Sequence, residues 1–117
     1  MQYMLLFYIG EEDVRRREDP AQVGDYFGAW NAYVQAISEA GVVVNGHGLQ
    51  GPEMATTVRI RNQQRQIQDG PFAASKEQLG GYFVIEVAHL DEALEWAARS
   101  PNTTFGSTEV RPVLPRG

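Results

Sequence analysis

Cysteine is absent from all 117 residues. Disulfides, thiolate metal sites and cysteine nucleophiles are therefore excluded, and the absence accords with a reducing, cytoplasmic setting. Histidine is nearly as scarce: the two present, His47 and His89, lie far apart in the chain. A metal site draws on three or four clustered ligands, and no spacing here supplies them, so neither a metal nor another cofactor is expected. Long apolar runs are missing as well. The longest, Met4 to Ile9, is too short to span a bilayer, and the N-terminal stretch lacks the basic start and small-residue cleavage pattern of a secretory signal. A soluble protein without membrane contact is expected. Basic charge is also in deficit: the net charge is −5. The run Arg15-Arg16-Arg17 sits between Glu11-Glu12-Asp13 and Glu18-Asp19, which cancels much of its field, so a nucleic-acid partner is not expected. The length is that of a single domain, residues 1–117, near the size at which a subunit interface adds useful burial.

What is present is an alternation of strands and helices. Tyr3 to Ile9 is apolar at every position, the pattern of a central strand covered on both faces, and Gly10 ends it where a charged stretch begins. From Val23 to Ala40 the residues Phe27, Trp30, Val34 and Ile37 recur at steps of three and four. This predicts an amphipathic helix, closed by Gly41, whose Trp30 face lies on the sheet with Trp30 in the core. Val42-Val43-Val44 predicts a short strand running into an irregular loop through Gly46, Gly48, Gly51 and Pro52. Thr57 to Arg61 and Gln66 to Gln68 alternate polar and apolar residues, a hairpin that Asp69-Gly70 ends. Gly81 to Val87 is a second apolar strand. Asp91 is the expected N-cap of a helix from Glu92 to Arg99, with Glu95 and Arg99 paired four apart. The last strand, Thr108 to Val113, contains Pro112 and so belongs at an edge. The order predicts an α+β fold of ferredoxin-like βαββαβ type with an inserted β-hairpin. Such a sheet carries helices on one face only, and its apolar strands leave nothing polar for water on the other. A second subunit packed sheet to sheet would cover that face.

Gly46-His47-Gly48-Leu49-Gln50-Gly51 matches G-x-G-x-x-G to the letter, but a dinucleotide site needs a helix to open inside the motif, and Pro52 with the following strand forbids one. His47 remains of interest as an imidazole able to titrate near neutrality, set between two glycines. No serine sits in a nucleophile-elbow context. In Asp69-Gly70-Pro71-Phe72 the aspartate can act as a turn-maker, Gly70 supplies an unusual backbone angle and Pro71 stiffens the exit. Alternatively the rigid turn holds Asp69 and Phe72 at a pocket, with Lys76, Glu77 and Gln78 beside it. The candidate catalytic residues are therefore His47 and Asp69, a carboxylate that would orient an imidazole. The candidate ligand-binding residues are Gly48, Gly70, Pro71, Phe72, Lys76, Glu77 and Gln78.

The DGPF string, the opening Met1-Gln2-Tyr3-Met4-Leu5-Leu6, Gly46-His47-Gly48-Leu49-Gln50, Glu92-Ala93-Leu94-Glu95-Trp96-Ala97-Ala98 and Glu109-Val110-Arg111-Pro112-Val113 occur in an order that resembles the DGPF-domain branch of the YCII-related superfamily. The resemblance implies a dimeric α+β barrel, hence a homodimer. Relatives on this scaffold include lactone isomerases and dehydrochlorinases, which implies lyase or isomerase chemistry on a small polar organic substrate. The alternative it implies is a non-enzymatic accessory protein associated with a sigma factor. In YCII-like proteins a histidine on the first helix and an aspartate after the second are held to be the catalytic pair. Aligned on Gly41 and Trp96-Ala97, those places here fall on Trp30 and Ser100, neither of which replaces an acid-base group.

Overall fold

The computed structural model describes residues 1–116. Its elements are β1 (Gln2–Ile9), α1 (Glu11–Glu18), α2 (Val23–Glu39), β2 (Val43–Gly48), β3 (Thr56–Arg61), β4 (Gln64–Asp69), β5 (Gln78–Glu86), α3 (Leu90–Ala98) and β6 (Ser107–Pro112), with 3-10 turns at Pro52–Met54 and Pro101–Thr104. Four strands form one antiparallel sheet in the order β2-β5-β1-β6, and β3 pairs with β4 as a separate ribbon. With the ribbon and α1 set aside, this is the ferredoxin-like βαββαβ order. No helix among the described residues is long and apolar enough to cross a membrane.

Strand β1 is central, and its alternation sets the two faces of the sheet. Tyr3, Leu5 and Phe7 are buried beneath the helices together with Ile37, Ile85, Ala93 and Ala97. Met4, Leu6 and Tyr8 point the other way and are only half-buried. Cross-strand partners share a face, so two residues of β5, the half-buried Tyr82 and Val84, already buried by its neighbours, lie opposite Leu6 and Met4 on this second face. No element among the described residues forms a layer over it.

Helix α2 forms where expected, and Gly41 adopts φ +73° just past its end, a conformation glycine takes without strain. Its core stripe, however, is Tyr26, Trp30, Tyr33 and Ile37, while Phe27 and Val34 remain 48% and 40% exposed. The tyrosine can go inward because its hydroxyl has a partner: Tyr33 donates to the Trp96 carbonyl at 2.8 Å. Burial pushes the pKa of that phenol up, so it stays protonated at any ordinary pH.

The charged stretch after Gly10 is helix α1, which apolar periodicity does not reveal. Glu11, Glu12 and Asp13 occupy its first turn and Arg15, Arg16 and Arg17 its last, the arrangement the helix dipole favours. Glu12 pairs with Arg15 and, at 3.4 Å, with Arg16. Asp13 is 1% exposed and accepts the Gly10 amide at 3.2 Å. Burial raises its carboxyl above the usual 3.8, opposed by that amide and by Arg16 and Arg17. A raised pKa means that the folded state holds this proton to higher pH than the unfolded chain does. Asp13 thus lowers stability as pH climbs through and above the carboxylate range, and the cost vanishes in acid. Asp13→Asn keeps an acceptor for Gly10 without the charge, so at pH 7 it should match or exceed wild-type stability by up to ~1 kcal/mol, with the gain disappearing near ~pH 3. Urea unfolding at both pH values measures this; a loss at pH 7 would mean that attraction to the helix end and the arginines outweighs burial.

Three further local expectations are corrected. The N-cap of α3 is His89, whose Nδ1 accepts the Glu92 amide at 3.4 Å, and Asp91 already lies within the helix. Arg99 lies over the Trp96 ring at 4.4 Å and makes no ion pair with Glu95. The hairpin turn is tighter than the sequence pattern indicated: Asn62 and Gln63 both have positive φ, 50° and 64°, which matches a two-residue type I′ connection.

Candidate functional site

The segment expected to be a glycine loop is strand. Gly46, His47 and Gly48 pair with Phe83, Tyr82 and Gly81 along the edge of the sheet. Glycine is required here by close approach rather than by a turn: a Cβ on Gly46 would lie 2.6 Å from the Tyr82 carbonyl and overlap the Phe83 ring, and one on Gly81 would lie 2.9 Å from the His47 carbonyl.

These bare positions open a cleft between α2 and the β2–β5 edge, with a volume of about 370 Å³. Phe7 and Phe83 line it from the sheet, Tyr26, Phe27, Trp30 and Val34 from α2, and Arg17 from α1. The exposure of Phe27 and Val34 is thereby explained: they form a cleft wall beside the core stripe. Trp30 does both jobs, meeting Phe7 edge-to-face at 5.3 Å while facing the cleft. Burial also raises the pKa of Tyr26. The Arg17 guanidinium makes no ion pair or hydrogen bond among the described residues. It also borders an adjoining recess of about 210 Å³ that reaches Lys76 and Gln78. The cleft thus offers aromatic surface with one unpaired cation at its edge, an arrangement suited to a flat organic anion.

The sequence-derived candidates are distributed unevenly around this space. Gly48 lines the cleft, Lys76 and Gln78 line the recess, and Pro71 joins Gln78 in a third groove at the base of the β3–β4 ribbon. His47 also borders the cleft, but its register with Tyr82, and that of Tyr82 with Leu6, place its imidazole on the open face; the two rings lie 6.1 Å apart. Asp69 sits at the end of β4 opposite Thr56, and Asp69, Gly70, Phe72 and Glu77 line none of these three spaces. One subunit therefore does not join His47 and Asp69 in the cleft. The Asp69 carboxylate has no hydrogen bond among the described residues; the turn is held instead by Gly70, at φ +98°, whose amide donates to Ala55 at 2.8 Å and whose carbonyl accepts from Thr57 at 2.8 Å. Phe72 is exposed beneath the Arg59 guanidinium, and Glu77 Oε1 is buried without a partner. Ser100 is buried in a hydroxyl network with Thr103 and Thr108 and donates to the Ala97 carbonyl at 2.7 Å. Arg17 was the residue missed. Its neighbours in sequence mask it, and only its place on α1 at the edge of the cleft reveals it.

The fold and the cleft define a ferredoxin-like α+β protein with a ligand-sized aromatic cavity beneath its second helix. A model of the YCII-related domain matches residues 1–116, and the chain belongs to that family. It is 36% identical to an uncharacterised protein of Rhizobium meliloti strain 1021, over 97% of this chain and 92% of that protein. It also resembles the solved 5-chloro-2-hydroxyhydroquinone dehydrochlorinase of Burkholderia phenoliruptrix AC1100 in complex with 2,5-dihydroxybenzoquinone. The TM-score is 0.58 and the sequence identity 16%, over 97% of this chain and 94% of that one, a likeness of fold.

Proposed function

We propose that this protein is a homodimeric small-molecule-binding protein whose cleft takes a planar, anionic, aromatic or quinoid compound. The observation that carries this is the unpaired Arg17 at the edge of a cavity walled by Phe7, Tyr26, Phe27, Trp30 and Phe83. Rings stack or meet edge-on with such walls, and a carboxylate or enolate meets the guanidinium in a charge-assisted pair. The dehydrochlorinase of similar fold, which was solved with a flat dihydroxyquinone, supports the ligand class. The open sheet face supports the dimer, since a half-buried row of Met4, Leu6, Tyr8 and Tyr82 gains from a second sheet packed on it.

Turnover divides this reading in two. A lyase or isomerase needs a base at the bound ligand, and His47 with Asp69 would supply it only if a partner subunit brought Asp69 to the imidazole. A ligand-responsive accessory protein, including one that acts on a sigma factor, needs no base. His47 borders the cleft, but its lining contains no carboxylate to orient that imidazole, which favours the second.

Titration with 2,5-dihydroxybenzoquinone and with salicylate, followed by quenching of Trp30 fluorescence in a Trp96→Phe background, tests the binding. Saturable quenching is expected, weakened ~10-fold or more in Arg17→Gln, as loss of a charged hydrogen bond implies. Absence of saturable quenching with either compound, or an Arg17→Gln affinity within twofold of wild type, would refute the site. Absorbance of the bound quinone over hours reports whether it is transformed.

A further inference from the structure

The β3–β4 ribbon is the part of the molecule that the fold leaves unsupported. Every residue of β4 is exposed and none of β3 is buried. A lone two-stranded hairpin is marginal at best in water. One face of the ribbon nevertheless presents Val58, Ile60 and Ile67 at 58%, 66% and 56% exposure. Val58 and Ile67 are direct cross-strand partners and Ile60 is two residues on, so the three form one apolar row. Arg65, the cross-strand partner of Ile60, lies at the end of that row, and the other face is amide-rich, with Arg59 donating to Gln68 at 2.7 Å beside Arg61 and Gln66. With Arg59, Arg61 and Arg65 against Asp69 alone, the ribbon carries a net charge of +2. That leaves −7 on the rest of a chain whose total is −5.

A basic ribbon with an apolar row is thus attached to an acidic body with an open apolar sheet face. That face continues toward the ribbon. Leu79 pairs with Tyr8 on it and also lines the groove of about 530 Å³ at the ribbon base, with Leu49, Met54 and Pro71. The body of one copy is complementary in charge and in apolar surface to the ribbon of another.

We propose that the ribbon is a dimer clasp: each copy lays Val58, Ile60 and Ile67 against apolar surface of its partner, with Arg65, on that same ribbon face, against an acidic side chain of that partner. The clasp rests on the homodimer proposed above. Two-fold symmetry makes the exchange reciprocal, so each ribbon contact counts twice.

Sedimentation equilibrium of the full chain tests this, with wild type, Ile60→Asp/Ile67→Asp, Arg65→Glu and, as a sheet-face control, Leu6→Asp. Wild type is expected to dimerise, and its dissociation constant should rise at least ~5-fold between about 50 and about 500 mM NaCl. Both ribbon variants should weaken dimerisation at least ~30-fold, as loss of a central interface cluster does. Their far-ultraviolet circular dichroism should be unchanged, because the altered side chains are exposed. A wild type that is monomeric at about 100 µM removes the dimer and the clasp together. A wild-type dimer weakened by Leu6→Asp but left within ~3-fold by both ribbon variants overturns the clasp alone and leaves the sheet-face dimer standing. Ribbon variants that dimerise normally but lose retention of single-stranded nucleic acid overturn it in favour of a nucleic-acid grip.

Discussion

Phe7→Ala should lower stability by about 3–5 kcal/mol, the range for removing a large buried aromatic. Phe7 is 4% exposed on the central strand, and three rings meet it edge-to-face: Trp30 at 5.3 Å, Phe83 at 5.8 Å and Tyr33 at 6.1 Å. Each such pair adds ~0.5–1.5 kcal/mol beyond the area it buries. Collapse cannot refill the space, because Gly81, its cross-strand partner, has no side chain and the cleft already lies alongside. The variant should therefore unfold at markedly lower urea and, where it remains folded, bind the quinone poorly, because the cleft wall loses its backing. A stability loss below about 1 kcal/mol would show that the four rings do not pack as a unit.

Asn102→Ala should cost about 2–4 kcal/mol, chiefly through hydrogen bonds. Asn102 is 0% exposed, and its Nδ2 donates to the Tyr8 carbonyl at 3.1 Å and to the Ser107 carbonyl at 2.9 Å, pinning the turn before β6 to the end of β1. Alanine removes the Nδ2 donor from these two carbonyls and from Thr108 Oγ1, at ~0.5–1.5 kcal/mol per bond, and empties a fully buried position. Asn102→Asp discriminates further. A carboxylate facing two carbonyl oxygens should be at least as damaging at pH 7, and partly relieved in acid where the protonated group donates once more. An alanine variant within about 1 kcal/mol of wild type would mean that water reaches those carbonyls.

Much of the architecture was legible because it rests on apolar periodicity and on glycines with special backbone angles. Tyr3 to Ile9 reads as a central strand, and Gly41 and Gly70 mark a helix end and a turn that need positive φ. Where those signals fail, the expectation failed with them. Helix α1 is written in charge order, so a search for apolar stripes passes over it. Strand β2 runs through Gly46 and Gly48, which look like breakers but are needed for close approach to Phe83 and Tyr82. The site was harder still, for a geometric reason. Treating Gly46 to Gly48 as loop leaves His47 free to face anywhere, whereas strand alternation fixes its face, away from α2. Phe27 and Val34 look like core by spacing, and only the tertiary structure separates a helix face that is covered from one that borders a cavity. Arg17 is one of three consecutive arginines, and composition cannot tell which of them turns inward.

The edges of the main sheet differ in what they can bind. Strand β6 is one edge, and because the Val113 amide points inward to Gln2 at 2.9 Å, the nitrogen of Pro112 points outward and offers no donor. Strand β2, at the other edge, has no proline. Endless side-by-side stacking of sheets would need both edges to accept strands, so the donor missing at Pro112 weakens one of the two edges for lateral growth.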